Sequence, residues 1–227
     1  MSPIIRFRDV LLLVILGAAG QFVALVIAAF FGASTGFMAQ AAGIANGLCW
    51  IACYQRQARN YGWPSLRERF GAVRVKLLAA AGGTAVVLIV VLSAVTELLR
   101  GIGVPIADVP DLILPENRGL LLLLVIFVGL VGPIAEELMF RGVLLDWSRQ
   151  KLPAGASILM VSLVFALLHD NHLRSGPAGW LGLAARFSLG AAASIFALRC
   201  RSLRPSVVLH ATNNGLVVIF TVLASQP

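Results

Sequence analysis

A succession of long apolar runs constrains this chain more than any other feature. Several exceed about 18 residues, the length that crosses a bilayer. In hydrocarbon every backbone polar group must find a partner inside the protein, and a helix does this within one segment. The expected fold is all-α: a polytopic transmembrane helical bundle of about seven spans. These fall at residues 10–31, 37–54, 77–99, 119 to about 150, 153–168, 180–198 and 205–223. Composition agrees, with 59% apolar and 12% charged residues among 227, about half the charged fraction of an ordinary soluble protein. No room remains for a large soluble domain. The first run is too long for a removed signal peptide and lacks a cleavage site, so it reads as a retained span. The second is less apolar and carries Gln40 and Asn46.

The net charge of +8 would suggest nucleic acid in a soluble chain. Here the basic residues sit between apolar runs, where membrane orientation explains them better, and no nucleic-acid partner is expected. Arg6 and Arg8, six basic residues in the 55–76 loop, Arg149, Lys151, Arg199, Arg201 and Arg204 fall on one side. Only Arg100, Arg118 and Arg174 fall on the other. That bias places the N-terminus in the cytoplasm and the C-terminus outside. Within the basic loop, Ser65 can cap a short interfacial helix starting just after Pro64. Cys49, Cys53 and Cys200 are expected to be free thiols on the reducing side.

Residues 1–118 carry no strong chemical signal and are assigned a packing role. Residues 119–227 carry the chemistry. Glu136 and Glu137 stand inside an apolar run, where an unpaired carboxylate costs several kcal/mol or more. Glu137 and Arg141 are four apart on one helix face and can pair. Glu136 has no such partner, because position 140 is Phe. Two further pairs have the same spacing: Phe165 with His169, and His210 with Asn214.

One free carboxylate, two imidazoles and an amide suit hydrolysis by either of two routes. Glu136, His169 and His210 could ligate Zn²⁺ and activate its water. Alternatively, Glu136 could act as general base on water that the histidines polarise. Asn214 could donate to a developing oxyanion or orient a histidine. Plainer explanations exist for each residue: a structural ion pair for Glu137 and Arg141, an interfacial position for His169, and interhelical hydrogen bonding for His210 and Asn214. His172 falls in a polar loop, as a solvated residue or a spare ligand. Asp170 and Asn171 beside it suit capping or turn formation. Arg186 could bind a lipid phosphate or pair with Asp170 or Glu97. Depth presents a difficulty. Counted from the flanking basic residues, Glu136 and His169 lie about 20 Å deep and His210 about 9 Å. They can meet only if helices tilt or Pro133 bends the fourth span.

The ordered motifs E-E-x-x-x-R, F-x-x-x-H and H-x-x-x-N over residues 119–223 resemble the CPBP family of intramembrane metalloproteases. That family includes the eukaryotic CAAX prenyl endopeptidase and bacterial members tied to bacteriocin immunity. The surrounding F-R-G-V-L-L and S-L-R-P-S-V-V-L-H-A-T-N-N stretches resemble it too. The resemblance implies an endopeptidase in a bacterial cytoplasmic (inner) membrane. Glu136 would activate water. His169, His210 and Asn214 would complete the site, and Glu137 and Arg141 would fill the rest of the first motif. A divalent metal such as Zn²⁺ would be held by Glu136, His169 and His210. The partners implied are membrane lipid and a membrane-associated peptide or protein substrate, for which a lipidated tail is one form. Two other classes remain: a non-catalytic scaffold or immunity protein, and a proton- or cation-coupled transporter, although no internal repeat supports the latter.

Overall fold

The computed structural model describes residues 4–106, 118–169 and 176–224. Asp170, Asn171, His172 and Arg174 lie outside the described residues, as do the roles expected for them.

The described chain is helical: α1 (Phe7–Phe30), α2 (Thr35–Tyr61), α3 (Leu66–Arg69), α4 (Val75–Gly101), α5 (Arg118–Ile126), α6 (Gly132–Met139), α7 (Leu145–Arg149), α8 (Ala154–His169), α9 (Pro177–Cys200) and α10 (Arg204–Ala224). Two π-helical segments, Phe127–Val131 and Phe140–Leu144, join α5 to α6 and α6 to α7. Residues 118–149 therefore form one continuous helical path.

Five helices are long and apolar enough to cross a membrane: Phe7–Phe30, Val75–Gly101, Leu121–Arg149, Pro177–Cys200 and Arg204–Leu223. Helix α2 has the length, but Gln40, Asn46, Gln55, Arg56, Gln57 and Arg59 lower its apolarity. Helix α8 is apolar but has only 16 residues. The protein is a multi-span helical membrane bundle. Phe22, Val87 and Phe220 are each more than half exposed, as lipid-facing side chains should be.

Helix α1 packs on α2, α2 on α6, and α8 on α9, while α4 lies against α9 and α10. The core gathers around residues 138–145, which meet Phe165, Leu189 and Leu209. Thus the stretch that directly follows the double glutamate lies in the core of the bundle.

The basic loop is fastened at one end of the bundle. Ser65 caps α3, and Glu68 returns the bond to the Ser65 backbone at 2.7 Å. This reciprocal arrangement satisfies two otherwise open N–H groups. The Ser65 hydrogen bonds hold the exposed Glu68 carboxyl below the ordinary carboxylate range. Tyr54 donates to the Pro64 carbonyl at 2.6 Å and accepts from Arg69 Nε at 2.8 Å. Arg69 also pairs with Asp146 at 2.5 Å. The loop then reaches the turn before α10. Leu203 N–H donates to Arg69 O at 2.8 Å, Ser202 to Gly71 O at 3.0 Å and Arg204 Nε to Phe70 O at 2.7 Å. Sequence alone gave the cap but none of these long-range ties.

Candidate active site

The helical path through residues 118–149 widens twice, once on either side of the eight-residue α6. Pro133 lies in the first turn of α6. It has no N–H to give, and its ring crowds the carbonyl four residues back. The wide turn at Phe127–Val131 gives that region room. Such π segments inside α-helices are frequent at functional sites. Here they bracket Glu136 and Glu137 and alter the facing of the residues beyond.

Glu137 and Arg141 are fully buried and paired, with Arg141 Nη1 to Glu137 Oε1 at 2.9 Å. The spacing of four predicts that pair. The rest of the arginine's surroundings come from other helices. Arg141 Nη2 donates to Gly190 O in α9 at 3.1 Å, and its guanidinium carbon lies 4.7 Å from the Phe165 ring centroid, in cation–π range. Gly190 permits this close approach. A Cβ there would stand 3.2 Å from Ser162 Cα and 3.4 Å from Arg141 Nη2.

Glu137 Oε1 has a second partner, His210 Nδ1 at 2.9 Å. The carboxylate only accepts, so the His210 proton is assigned to Nδ1. His169 follows the same logic: its Nδ1 lies 2.7 Å from the Phe165 carbonyl, also an acceptor only, and therefore carries the proton. Each histidine is left with Nε2 as its free ring position. Both Nε2 atoms face Glu136 Oε2, His169 at 3.1 Å and His210 at 3.7 Å. Two ring lone pairs against one carboxylate oxygen would repel. A proton shared between His169 and Glu136 turns the shorter contact into a hydrogen bond. With that proton, two carboxylates balance one guanidinium and one imidazolium, so the buried set carries no net charge.

Accessibility separates the two glutamates. Glu136 and His169 keep 23% and 33% of their side-chain surface, whereas Glu137 keeps none. Glu136 and His169 can therefore meet another molecule, while Glu137 can only hold its neighbours. Phe165 is buried and packs against both imidazoles, with ring centroids 4.3 Å from His169 and 5.6 Å from His210.

Asn214 is placed differently. Its Nδ2 donates to Val128 O at 2.9 Å, inside the first π segment, and its Oδ1 accepts from Asn213 at 3.3 Å. It ties α10 to the widened turn rather than bonding to Glu136 or either histidine. Glu97 pairs with Arg100 at 2.8 Å. The Arg186 guanidinium lies beside Gly182 of its own helix.

The donor chemistry at Glu136 suits a metal. Each imidazole presents Nε2 while its Nδ1–H is held by a carbonyl or carboxylate, as in metal-binding histidines. The arrangement is a hydrogen-bonded one, however. Among the described residues, no group of three or more His, Cys, Asp or Glu is positioned to hold a metal ion.

Residues 118–216 match the family model described as Type II CAAX prenyl endopeptidase Rce1-like. This segment is similar to that family. It contains the double glutamate, both histidines and Asn214, and it leaves residues 1–117 unmatched. No match was found among curated proteins or among solved structures.

The matched segment holds residues whose pairing its motifs do not spell out. The Glu137–His210 contact spans 73 positions, and the Asn214–Val128 contact 86. Pro133 was the one local sign that the fourth span would not be a plain helix.

Proposed function

We propose that the protein is an intramembrane endopeptidase in which Glu136 activates the attacking water. The observation that carries this reading is the convergence of both Nε2 atoms on Glu136 Oε2, with each Nδ1 already committed elsewhere. The starting state has a carboxylate at Glu136 and the shared proton on His169. Glu136 takes a proton from water as the water oxygen bonds to the scissile carbonyl carbon. The His169 N–H is positioned to donate to the oxyanion that develops. On collapse the C–N bond breaks and Glu136 returns its proton to the leaving amine. His210 Nε2 offers the same water a second acceptor, oriented by Glu137. Asn214 acts indirectly, by fixing the helix turn ahead of Glu136.

Glu136, His169 and His210 are the side chains that would hold Zn²⁺, after rearranging from their hydrogen-bonded positions. The ion would supply a polarised water at that point. The topology proposed with this function has seven spans, counting α2 and α8. Its N-terminus is cytoplasmic, from the distribution of arginine and lysine, and the membrane is a bacterial inner membrane, from the family resemblance. The matched family's description directs the substrate search to peptides with prenylated tails.

The test is a panel of prenylated and unmodified peptides incubated with the purified full-length protein, with products identified by mass spectrometry. Metal content is measured on the same samples. Cleavage that disappears in Glu136→Gln and His210→Ala, with both variants folded, supports the proposal. Cleavage that persists in both overturns it. Zinc bound by the parent and lost in His169→Ala and His210→Ala supports the metal assignment. Cleavage by metal-free protein assigns water activation to Glu136 alone.

A further inference from the structure

A cavity of about 500 Å³ opens at the end of the bundle where α7, α9 and the basic loop meet. Its lining includes Arg69, Arg141, Asp146, Arg149, Arg201 and Ser202. Four arginines face one carboxylate there. The charges do not cancel locally. Asp146 is paired with Arg69, and Arg141 is paired with Glu137 outside the cavity. Arg149 donates to the Leu152 carbonyl. Neither Arg149 nor Arg201 has a carboxylate partner among the described residues.

Two further observations point to a ligand rather than to a merely solvated rim. Arg141 is 2% exposed, and its Nε has no hydrogen-bond partner. A buried guanidinium N–H left without a partner is destabilising. Arg201 adopts φ 50° and ψ 32° at the end of α9. This is the left-handed conformation that glycine adopts without strain, as Gly62 does at the end of α2. A glycine there would relieve the backbone, yet the position carries an arginine. Attraction of cations to helix C-termini accounts for basic residues near α7 and α9. It accounts for neither the cavity nor the unpartnered Nε.

We infer that this cavity binds a phosphate group through Arg149 and Arg201, over a floor formed by Arg141. Planar guanidinium groups match phosphate oxygens in pairs, and several arginines around one cavity supply the donors for an anionic phosphate group. The phosphate has two possible sources: the headgroup of an anionic phospholipid, or free phosphate in solution. The site is separate from Glu136, and the inference does not rest on the endopeptidase reading.

The experiment uses the full chain in a phosphate-free maltoside detergent. It is titrated with short-chain phosphatidylglycerol, with inorganic phosphate and, as a net-neutral control, with short-chain phosphatidylcholine. Ionic strength is held constant with chloride. Native mass spectrometry reads bound ligand, and thermal unfolding reads stability. The variants are Arg149→Gln and Arg201→Gly. The expected result is saturable binding that each variant weakens by about tenfold or more, the loss expected from removing one charge-assisted contact. Without ligand, Arg201→Gly melts no lower than the parent. Tight phosphatidylglycerol binding with feeble phosphate binding assigns the site to a lipid headgroup. Competition by phosphate at similar concentration assigns it to free phosphate. Equal affinity in parent and variants, or no saturable binding of either anion, overturns the inference, as does phosphatidylcholine binding that matches phosphatidylglycerol and is weakened by neither variant.

Discussion

Glu137 accepts the Nδ1–H of His210 at 2.9 Å and thereby leaves His210 Nε2 facing Glu136. The same Glu137 oxygen accepts from Arg141. The second glutamate is therefore the link between a buried cation and the orientation of a histidine on another helix. Its own Oε2 has no partner among the described residues.

Removing Arg141 should destabilise the protein more than it alters any residual chemistry per folded molecule. Breaking a buried ion pair from one side costs about 3–5 kcal/mol, because the other charge is left without compensation. Thermal unfolding in detergent should show Arg141→Ala melting well below the parent. A variant with the parent's melting temperature would remove this structural role from the pair.

The packing of α8 on α9 depends on Gly190. A valine there would bring its methyl groups against the Ser162 backbone and the Arg141 guanidinium. Overpacking of this kind costs about 1–3 kcal/mol. Gly190→Val should lower the melting temperature, and cleavage should fall with the loss of Arg141's position. Unchanged stability would mean that the helices can separate without cost.

Asn214 should tolerate substitution only by a donor. In Asn214→Asp the carboxylate would face the Val128 carbonyl, placing two acceptors together. The expected result is destabilisation of about 1 kcal/mol or more and slower cleavage. A fully active Asn214→Asp would show that the bond to the π segment does not matter.

The fold class was legible because apolar run length answers directly to bilayer thickness. The Glu137–Arg141 pair was legible because helical spacing is local. The distance argument from Arg149 and Arg204 put His210 shallower than Glu136 along straight helices and required tilt or a bend at Pro133 for them to meet; their side chains lie 3.7 Å apart. Counting residues assumed straight, regular helices. The segments Phe127–Val131 and Phe140–Leu144 depart from that geometry. Long-range choices, such as Asn214 bonding Val128 rather than a histidine, leave no local trace in the sequence.

The basic loop should loosen when Tyr54 loses its hydroxyl. That group bonds both the Pro64 carbonyl and Arg69. Tyr54→Phe should lose about 1–2 kcal/mol and become more sensitive to limited proteolysis within residues 55–76. Proteolysis at the parent's rate would show that the Arg69–Asp146 pair and the contacts to the turn before α10 hold the loop unaided.

The most direct measurement is the single-turnover cleavage rate of a peptide substrate by the parent and by Glu136→Gln, with equal folding verified by thermal unfolding. Loss of a general base slows such a step by about 10²–10⁴-fold, and a decrease of that order is the predicted result. A Glu136→Gln protein that is folded and cleaves at the parent's rate would contradict the account.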